Sequence, residues 1–380
     1  GECCEEVTSN GTALVFTPPS TLGCPDFDGC GYEVTVTVKT GQPVYVHGAQ
    51  FGNPYEACEE TATFLLCNGS FLVTPAPCPG TFNNLNIKVC WADAAGPETL
   101  RFRCCNGTYL LGNCSCSCVT TLVYDGPGCT SAANLEMRGD AVIDASGSGA
   151  LVLTNDNILQ GGTCARTLTL TGNRTAANEI RGAIRHPTGT LAPSVEKDGP
   201  GQWILSGTVS PPSNVTYTVI QGTLRAKDGR AIGERITVGG NYTSGFAAFL
   251  LGSDQEKNVR IDVPSGTQTV MIGGEDGAYF NGGQIRMGRP VTLVAESGTV
   301  IFANSWRNAS GGSPATQNVT IGADGFSGMV FLDFFGELRT SGEVAVAYGD
   351  AELGLDTTLE ADGGVAVSDG ATIKFNALYG

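Results

Sequence analysis

The chain has 380 residues, of which 41% are hydrophobic, 15% are charged and 54 are glycine. Twenty-one basic residues against 37 acidic ones give a net charge of −16, which disfavours nucleic acid as a partner because phosphates require a basic surface. No apolar run reaches the ~18–20 residues of a membrane-spanning helix. Glycine without a collagen period is typical of turns in an all-β protein, and the many apolar residues argue against disorder.

Cysteine is concentrated in the first third of the chain, where this density indicates disulfide bonds and an oxidising compartment. Metal binding is the alternative for the three thiols that Cys114-Ser-Cys116-Ser-Cys118 places on one side of a strand, but the module lacks paired Cys-x-x-Cys motifs and nearby histidines. The total of 15 leaves at least one thiol outside intramolecular pairs. The disulfide candidates are Cys3, Cys4, Cys24, Cys30, Cys58, Cys67, Cys78, Cys90, Cys104, Cys105, Cys114, Cys116, Cys118, Cys129 and Cys164.

The cysteine-rich part also contains strand and turn signals. Asn68-Gly69 and Asn106-Gly107 lie between apolar residues, a strong short-range signal for β-hairpins. Tyr32–Lys39 and Gln42–His47 alternate apolar and polar residues. These patterns predict a disulfide-rich antiparallel β-sandwich or barrel over residues 1–129, with a boundary near Asp125-Gly-Pro-Gly.

Residues 130–380 consist of short alternating segments that are followed by Gly, Asn or Asp. A unit this short cannot bury its apolar face alone, so the pattern predicts a solenoid with coils of roughly twenty residues. The polar insertion Ser305–Gln317 is expected to bulge from it. The predicted strands are Ala150–Thr154, Thr167–Thr171, Gln202–Ser206, Thr216–Ala226, Arg235–Val238, Asn258–Val263, Thr267–Ile272, Val291–Ala295, Thr299–Ala303, Val319–Gly322, Met329–Phe334, Glu343–Tyr348, Gly364–Ser368 and Ala371–Asn376.

The segment from Val195 to Ala226 carries a recognisable pattern: Lys197, Gly199, Gly201, Trp203, Leu205, Gly207, Tyr217, Gly222, Thr223 and Leu224. This pattern resembles the autotransporter-associated β-strand repeat of bacterial surface proteins, although Pro211-Pro212 and Asn214 occupy a turn that is usually rich in glycine. The resemblance implies a right-handed parallel β-helix outside a bacterial cell, and it implies no catalysis. The start at Gly1 rather than Met is consistent with a removed signal peptide, so we expect a secreted or cell-surface protein.

Catalytic and metal-binding patterns are sparse. His47 and His186 lie in different modules, and neither adjoins a nucleophile motif. Asp140 and Asp144 would lie about 13 Å apart on one strand, too far for an acid/base pair. Asp26-Phe-Asp28-Gly29 has only a trace of a calcium loop, because further ligands are absent. We therefore expect no enzyme activity, no metal site and no cofactor, with structural calcium as a weak alternative.

Nine Asn-x-Ser/Thr triplets allow two interpretations. In a eukaryotic secreted protein they would be N-glycosylation sites. In a bacterial chain, turn-forming Asn followed by β-favouring Thr produces the same triplets without sugar, which is the interpretation we favour. The asparagines are Asn10, Asn68, Asn106, Asn113, Asn173, Asn214, Asn241, Asn308 and Asn318.

The end of the sequence suggests an assembly edge. Ala371–Leu378 places Ile373 and Phe375 on one side of a strand and Thr372 and Lys374 on the other, with Lys374 as the only charged residue to discourage strand pairing. We therefore expect a self-assembling subunit of an extracellular fibre, sheath or coat, whose partners are copies of itself. A glycan-binding adhesin on a monomeric β-helix is the alternative, and a polysaccharide lyase or glycosidase is a third hypothesis.

Overall fold

We analysed a computed structural model of the chain. It describes residues 3–9, 14–16, 32–38, 44–46, 49–51, 60–66, 71–75, 85–93, 99–104, 106–111, 119–137, 139–155, 157–159, 166–174, 176–185, 194–207, 215–333, 337–354 and 358–375. These residues form short β-strands and one turn of 3₁₀-helix, Gly229–Ala231.

The strands are numbered in chain order. They are β1 Cys3–Ser9, β2 Leu14–Phe16, β3 Tyr32–Val38, β4 Val44–Val46, β5 Ala49–Phe51, β6 Glu60–Leu66, β7 Phe71–Pro75, β8 Leu85–Asp93, β9 Thr99–Arg101, β10 Thr108–Leu111, β11 Thr120–Tyr124, β12 Pro127–Ser131, β13 Asn134–Met137, β14 Ala141–Ala145, β15 Gly149–Leu153, β16 Asn157–Leu159, β17 Thr167–Thr171, β18 Asn178–Ile180, β19 Ile184–Arg185, β20 Ser194–Lys197, β21 Gln202–Leu205, β22 Thr216–Val219, β23 Gly222–Ala226, β24 Arg235–Val238, β25 Phe246–Leu251, β26 Glu256–Lys257, β27 Arg260–Val263, β28 Thr269–Gly274, β29 Tyr279–Met287, β30 Val291–Ala295, β31 Thr299–Asn308, β32 Val319–Ile321, β33 Met329–Leu332, β34 Glu337–Thr340, β35 Val344–Val346, β36 Asp350–Leu353, β37 Thr358–Ala361, β38 Val365–Val367 and β39 Thr372–Phe375.

The N-terminal module is a β-sandwich, as the sequence predicts. One sheet begins with the antiparallel order β1-β8-β3-β6, and a second sheet has the order β2-β7-β4-β5. Phe16 and Val73 of the second sheet are buried in the same apolar cluster as Val36, Val89 and Trp91 of the first. Burial between two sheets stabilises strands that are too short to be stable as isolated hairpins.

Strand β10 joins this module to the solenoid. It pairs in parallel with β6 on one side and with β13 on the other, so one sheet changes from antiparallel to parallel without a break. Leu110 packs in the core of the sandwich, whereas Tyr109 and Leu111 pack in the core of the solenoid. The parallel solenoid covers residues 99–375 and thus begins before residue 130, while the division into domains at that residue stays a prediction.

The solenoid has three faces, each a ladder of parallel strands. Face 1 contains β10, β13, β16, β19, β26, the first half of β29 and of β31, β33, β36 and β39. Face 2 contains β9, β11, β14, β17, β20, β22, β24, β27, the second half of β29 and of β31, β34 and β37. Face 3 contains β12, β15, β18, β21, β23, β25, β28, β30, β32, β35 and β38.

Successive turns place equivalent inward side chains directly above one another. On face 3, Trp203, Leu224, Phe249, Ile272 and Leu293 are paired in register and are all buried. These stacks form one continuous core along about ten turns. Trp203, Leu205, Leu224 and Val219 all point inward and are buried.

The predicted strand Thr216–Ala226 is in fact two strands on different faces. The chain turns from β22 on face 2 to β23 on face 3 at Gly222, whose φ is +74°. A Cβ at Gly222 would lie 2.4 Å from the carbonyl oxygens of Gly199 and Gly201 in the turn below. Glycine is therefore required by both the dihedral and the close approach.

Gly282 and Gly283 lie inside β29 and have positive φ. They form an irregularity that lets the strand continue from face 1 to face 2. The predicted insertion Ser305–Gln317 begins too early, because Trp306 belongs to β31 and is buried in the core.

The Asn-Gly hairpins are also not formed. Strands β6 and β7 flank Asn68-Gly69 but belong to opposite sheets of the sandwich, and β9 and β10 flank Asn106-Gly107 but lie on different faces. Gly107 has a positive φ, but it lies at a corner between β9 and β10 and not in a two-residue hairpin turn.

Candidate assembly surface

The last described turn of the solenoid, β37 to β39, exposes side chains that are equivalent to core residues. Val365 and Val367 are 48% and 45% exposed, although their register partners Val344 and Val346 are fully buried. Phe375 is 62% exposed, and its partner Leu353 is buried. Among the described residues, each of these side chains has a neighbouring turn on one side only.

The predicted edge residues lie on this turn, in β39. Ile373 is half-buried and packs against the core, while Thr372, Lys374 and Phe375 are exposed. Among the described strands β39 pairs only with β36, so its other edge offers backbone N–H and C=O groups. Together with the inward residues of β38, this edge forms what we call the terminal rung.

A second sheet edge lies in the N-terminal module. Among the described strands, β1 is the outer strand of its sheet and pairs with β8 only. Glu5 and Glu6 are exposed on it. Glu6, Thr8, Asn86 and Lys88 border a polar groove of about 270 Å³ on these two strands.

Four of the candidate cysteines form two disulfide bonds among the described residues. Cys4–Cys90 joins β1 to β8, and Cys104–Cys129 joins a corner of the first coil to β12. Cys3 lies in β1. The other candidates lie outside the described residues: Cys24, Cys30, Cys58, Cys67, Cys78, Cys105, Cys114, Cys116, Cys118 and Cys164.

Three of the triplet asparagines accept hydrogen bonds through their side chains. The Oδ1 of Asn308 accepts from the amides of Ser310 and Gly312, a local pattern typical of an Asx turn. The Oδ1 of Asn106 accepts from the amide of Ala132, and that of Asn318 accepts from the amide of Glu343, so these two side chains join neighbouring turns of the solenoid. Asn173 and Asn241 are exposed at corners, and Asn10, Asn68, Asn113 and Asn214 lie outside the described residues.

The carboxylates considered for catalysis have local partners. Asp140 accepts a hydrogen bond from the Thr167 amide at 2.8 Å, and Asp144 accepts one from the Ser146 hydroxyl at 2.5 Å. The described part of the chain contains no group of three His, Cys, Asp or Glu side chains that could hold a metal. His47, His186 and the Asp26–Asp28 loop lie outside it. Within the described residues, no helix is long and apolar enough to cross a membrane.

Several buried charges were not foreseen from the sequence. Lys197 points into the core, where its Nζ donates to the carbonyl oxygens of Asp198, Gly199 and Gln221 at 2.6–2.9 Å. Burial lowers the pKa of Lys197 to about 8, although neighbouring Asp198 acts in the opposite direction.

A second buried charge is Arg225, which forms ion pairs across turns with Glu275 and Glu296. Only the three-dimensional stacking brings these partners together, because they are 50 and 71 residues away.

The chain matches no family model, no curated protein and no solved structure in the comparisons made. Its geometry is therefore the basis for any functional interpretation.

Proposed function

We propose that this protein is a secreted structural subunit that assembles end to end, with the terminal rung of one copy docked on the N-terminal module of the next. The observation that carries the proposal is the exposure of Val365, Val367 and Phe375 at positions that are core positions one turn earlier. Burying them would remove apolar surface from water at roughly 25 cal/mol per Å².

A second copy suits this surface because β1 is the outermost described strand of its own sheet. Strand addition would satisfy the backbone groups of β39, and alternate side chains would set the register. Lys374 is exposed on β39, while Glu5 and Glu6 are exposed on β1. These opposite charges favour contact between the terminal rung of one copy and β1 of another. Like charges disfavour contact between two terminal rungs or between two β1 strands. A contact between different ends of one chain propagates into a filament.

Two further features support an extracellular location. Disulfides Cys4–Cys90 and Cys104–Cys129 are typical of proteins from oxidising compartments. The likeness of the segment around Lys197 and Leu224 to the autotransporter-associated repeat supports a bacterial surface or its surroundings.

A charge exchange tests the proposal. K374E should abolish filaments in negative-stain images and leave a particle of monomer mass in light scattering. K374E/E5K/E6K should restore filaments, because the opposite charges are exchanged rather than lost. The matched control K227E changes an exposed lysine in the middle of the solenoid and should assemble normally. Wild-type protein that stays monomeric at high concentration, or filaments in K374E and in Ile373→Pro, would overturn the proposal.

A further inference from the structure

The corner between faces 2 and 3 carries a groove built from three consecutive turns. Asp198 comes from the first turn, Thr218 and Ile220 from the second, and the loop that contains Asn241 and Tyr242 from the third. The groove has a volume of about 440 Å³. Its lining combines an aromatic ring, a carboxylate, a hydroxyl and an amide. Several turns of the solenoid separate the groove from the terminal rung.

Tyr242 is exposed yet fixed. The residue is 41% exposed, and its hydroxyl donates to the carboxylate of Asp198, with both oxygens at 3.2 Å. Asp198 is itself oriented by the Gly199 amide, which donates to its Oδ1 at 2.7 Å. The negative charge of Asp198 raises the pKa of the Tyr242 hydroxyl above its ordinary value of 10.0, so the hydroxyl remains a donor at neutral and mildly alkaline pH. An exposed aromatic that spans two turns is thereby held in one orientation.

Two buried polar side chains hydrogen-bond to the backbone just before Asn241 and Tyr242. The Oε1 of Gln268 accepts from the Gly240 amide at 2.8 Å, and its Nε2 donates to the Ile220 carbonyl at 3.0 Å. The Nη2 of Arg289 donates to the Gly240 carbonyl at 2.9 Å. Gln268 and Arg289 are 2% and 1% exposed. The loop is therefore preorganised, which lowers the entropy cost of binding a ligand.

We infer that this corner groove binds a neutral oligosaccharide. The face of a sugar ring presents C–H groups that pack on an amphipathic aromatic such as Tyr242. Its hydroxyls are donors for the remaining lone pairs of Asp198, and the Asn241 amide both donates and accepts. The carboxylate in the groove disfavours sulfated, phosphorylated or uronate chains by like-charge repulsion. Pockets with an aromatic wall and a few oriented polar groups are typical of small-ligand sites.

A second groove at the same corner, two to three turns earlier, extends the surface. It has a volume of about 440 Å³ and is lined by Ser146, Ser148, Asn173 and Arg174. Hydroxyl, amide and guanidinium groups again suit sugar hydroxyls. Since adjacent turns are roughly 4.8 Å apart, a short oligosaccharide laid along the corner could contact both grooves.

The test uses the full chain in native affinity gels that contain dextran, mannan or soluble cellulose oligomers. At least one of these should retard the wild-type protein, and Y242A should weaken the apparent affinity at least tenfold. Thr218→Arg, which fills the groove without removing the ring, should have a similar effect and gives a second result if Y242A does not fold. D198N should weaken binding several-fold, because an amide accepts fewer hydrogen bonds than a carboxylate.

The matched control is Y348A, which removes another exposed tyrosine, 50% accessible, outside the groove. It should bind like the wild type. No retardation by any neutral polysaccharide, equal loss in Y242A and Y348A, or retardation only by polygalacturonate or by a basic peptide would overturn the inference. All substitutions lie outside the terminal rung and are compared with the parent chain in the K374E background, which the proposed function expects to be monomeric, so filament formation does not affect the result.

Discussion

At the scale of single residues, the buried Lys197 shows how the solenoid accommodates a charge. It occupies a core position between Leu170 of the turn before and Val219 of the turn after. An unpaired buried ammonium would be strongly destabilising. Here three N–H donors meet the carbonyls of Asp198, Gly199 and Gln221, so each donor has an acceptor. These carbonyls belong to the corner between faces 2 and 3, and the lysine thus connects two adjacent corners.

The lowered pKa of Lys197 predicts a pH dependence of stability. The unfolded chain, with an ordinary lysine pKa of 10.5, holds this proton more tightly than the folded chain, in which the pKa is about 8. The free energy of unfolding should therefore rise with pH between these two values. Relative to Lys197→Met, the wild-type protein should gain about 2 kcal/mol between about pH 7.5 and about pH 10. Urea denaturation of both proteins measures this, and a constant difference across the range would contradict it.

At the scale of strands, stability comes from alternation and stacking. In β21, Trp203 and Leu205 point inward while Ile204 points outward. Leu205 is stacked between Ile180 below and Ala226 above, and all three are buried. A strand of four residues can persist because each inward side chain contacts equivalents in two neighbouring turns.

A pair of substitutions in β21 tests this view of a rung. Leu205→Ala should lower the free energy of unfolding by about 2–5 kcal/mol, because it opens a cavity between two stacked turns. Ile204→Ala, on the adjacent outward position, should cost less than about 1 kcal/mol. Chemical denaturation at one pH gives both values. Equal effects at the two positions would mean that the stack does not carry the stability of the strand.

The strands that the sequence predicts well are those with strict alternation. Thr167–Thr171 is found with the expected bounds, because one side of it is buried and the other is not. Tyr279–Met287 is not among the predicted strands, because Gly282-Gly283 in its middle has the local signal of a turn. Gly273 illustrates the physical reason: a Cβ there would lie 1.8 Å from the Val294 carbonyl in the next turn. A requirement set by a neighbouring turn leaves no periodic signal in the sequence.

The candidate sites show the same limit. The edge at Thr372–Phe375 could be predicted from alternation, whereas the exposure of Val365 and Val367 follows from the position of their turn in the stack. The groove at Tyr242 had no local signal. Its residues are gathered from three turns, and the Asp198–Tyr242 contact spans 44 positions.

At the scale of the molecule, the N-terminal module and the solenoid share β10 but have separate disulfides. Cys4–Cys90 lies in the outermost strands of the sandwich, and Cys104–Cys129 lies in the first coil. Each turn of a solenoid contacts only its neighbours, so a local loss of stability decays along the stack. Longer connections such as the Arg225 contacts to Glu275 and Glu296 couple a few turns, not the whole length.

This organisation predicts two local responses to the loss of a disulfide. Cys4→Ser/Cys90→Ser should destabilise the sandwich by about 2–5 kcal/mol and increase amide exchange in β1, β8 and β3. Cys104→Ser/Cys129→Ser should instead increase exchange in β12 and β15, which pair directly with each other. Hydrogen exchange with mass spectrometry resolves both patterns, and strands from β21 onward serve as the internal control because several turns separate them from either disulfide. A uniform increase through β39 in either variant would show that the chain unfolds as one cooperative unit, contrary to the nearest-neighbour stacking on which this prediction depends.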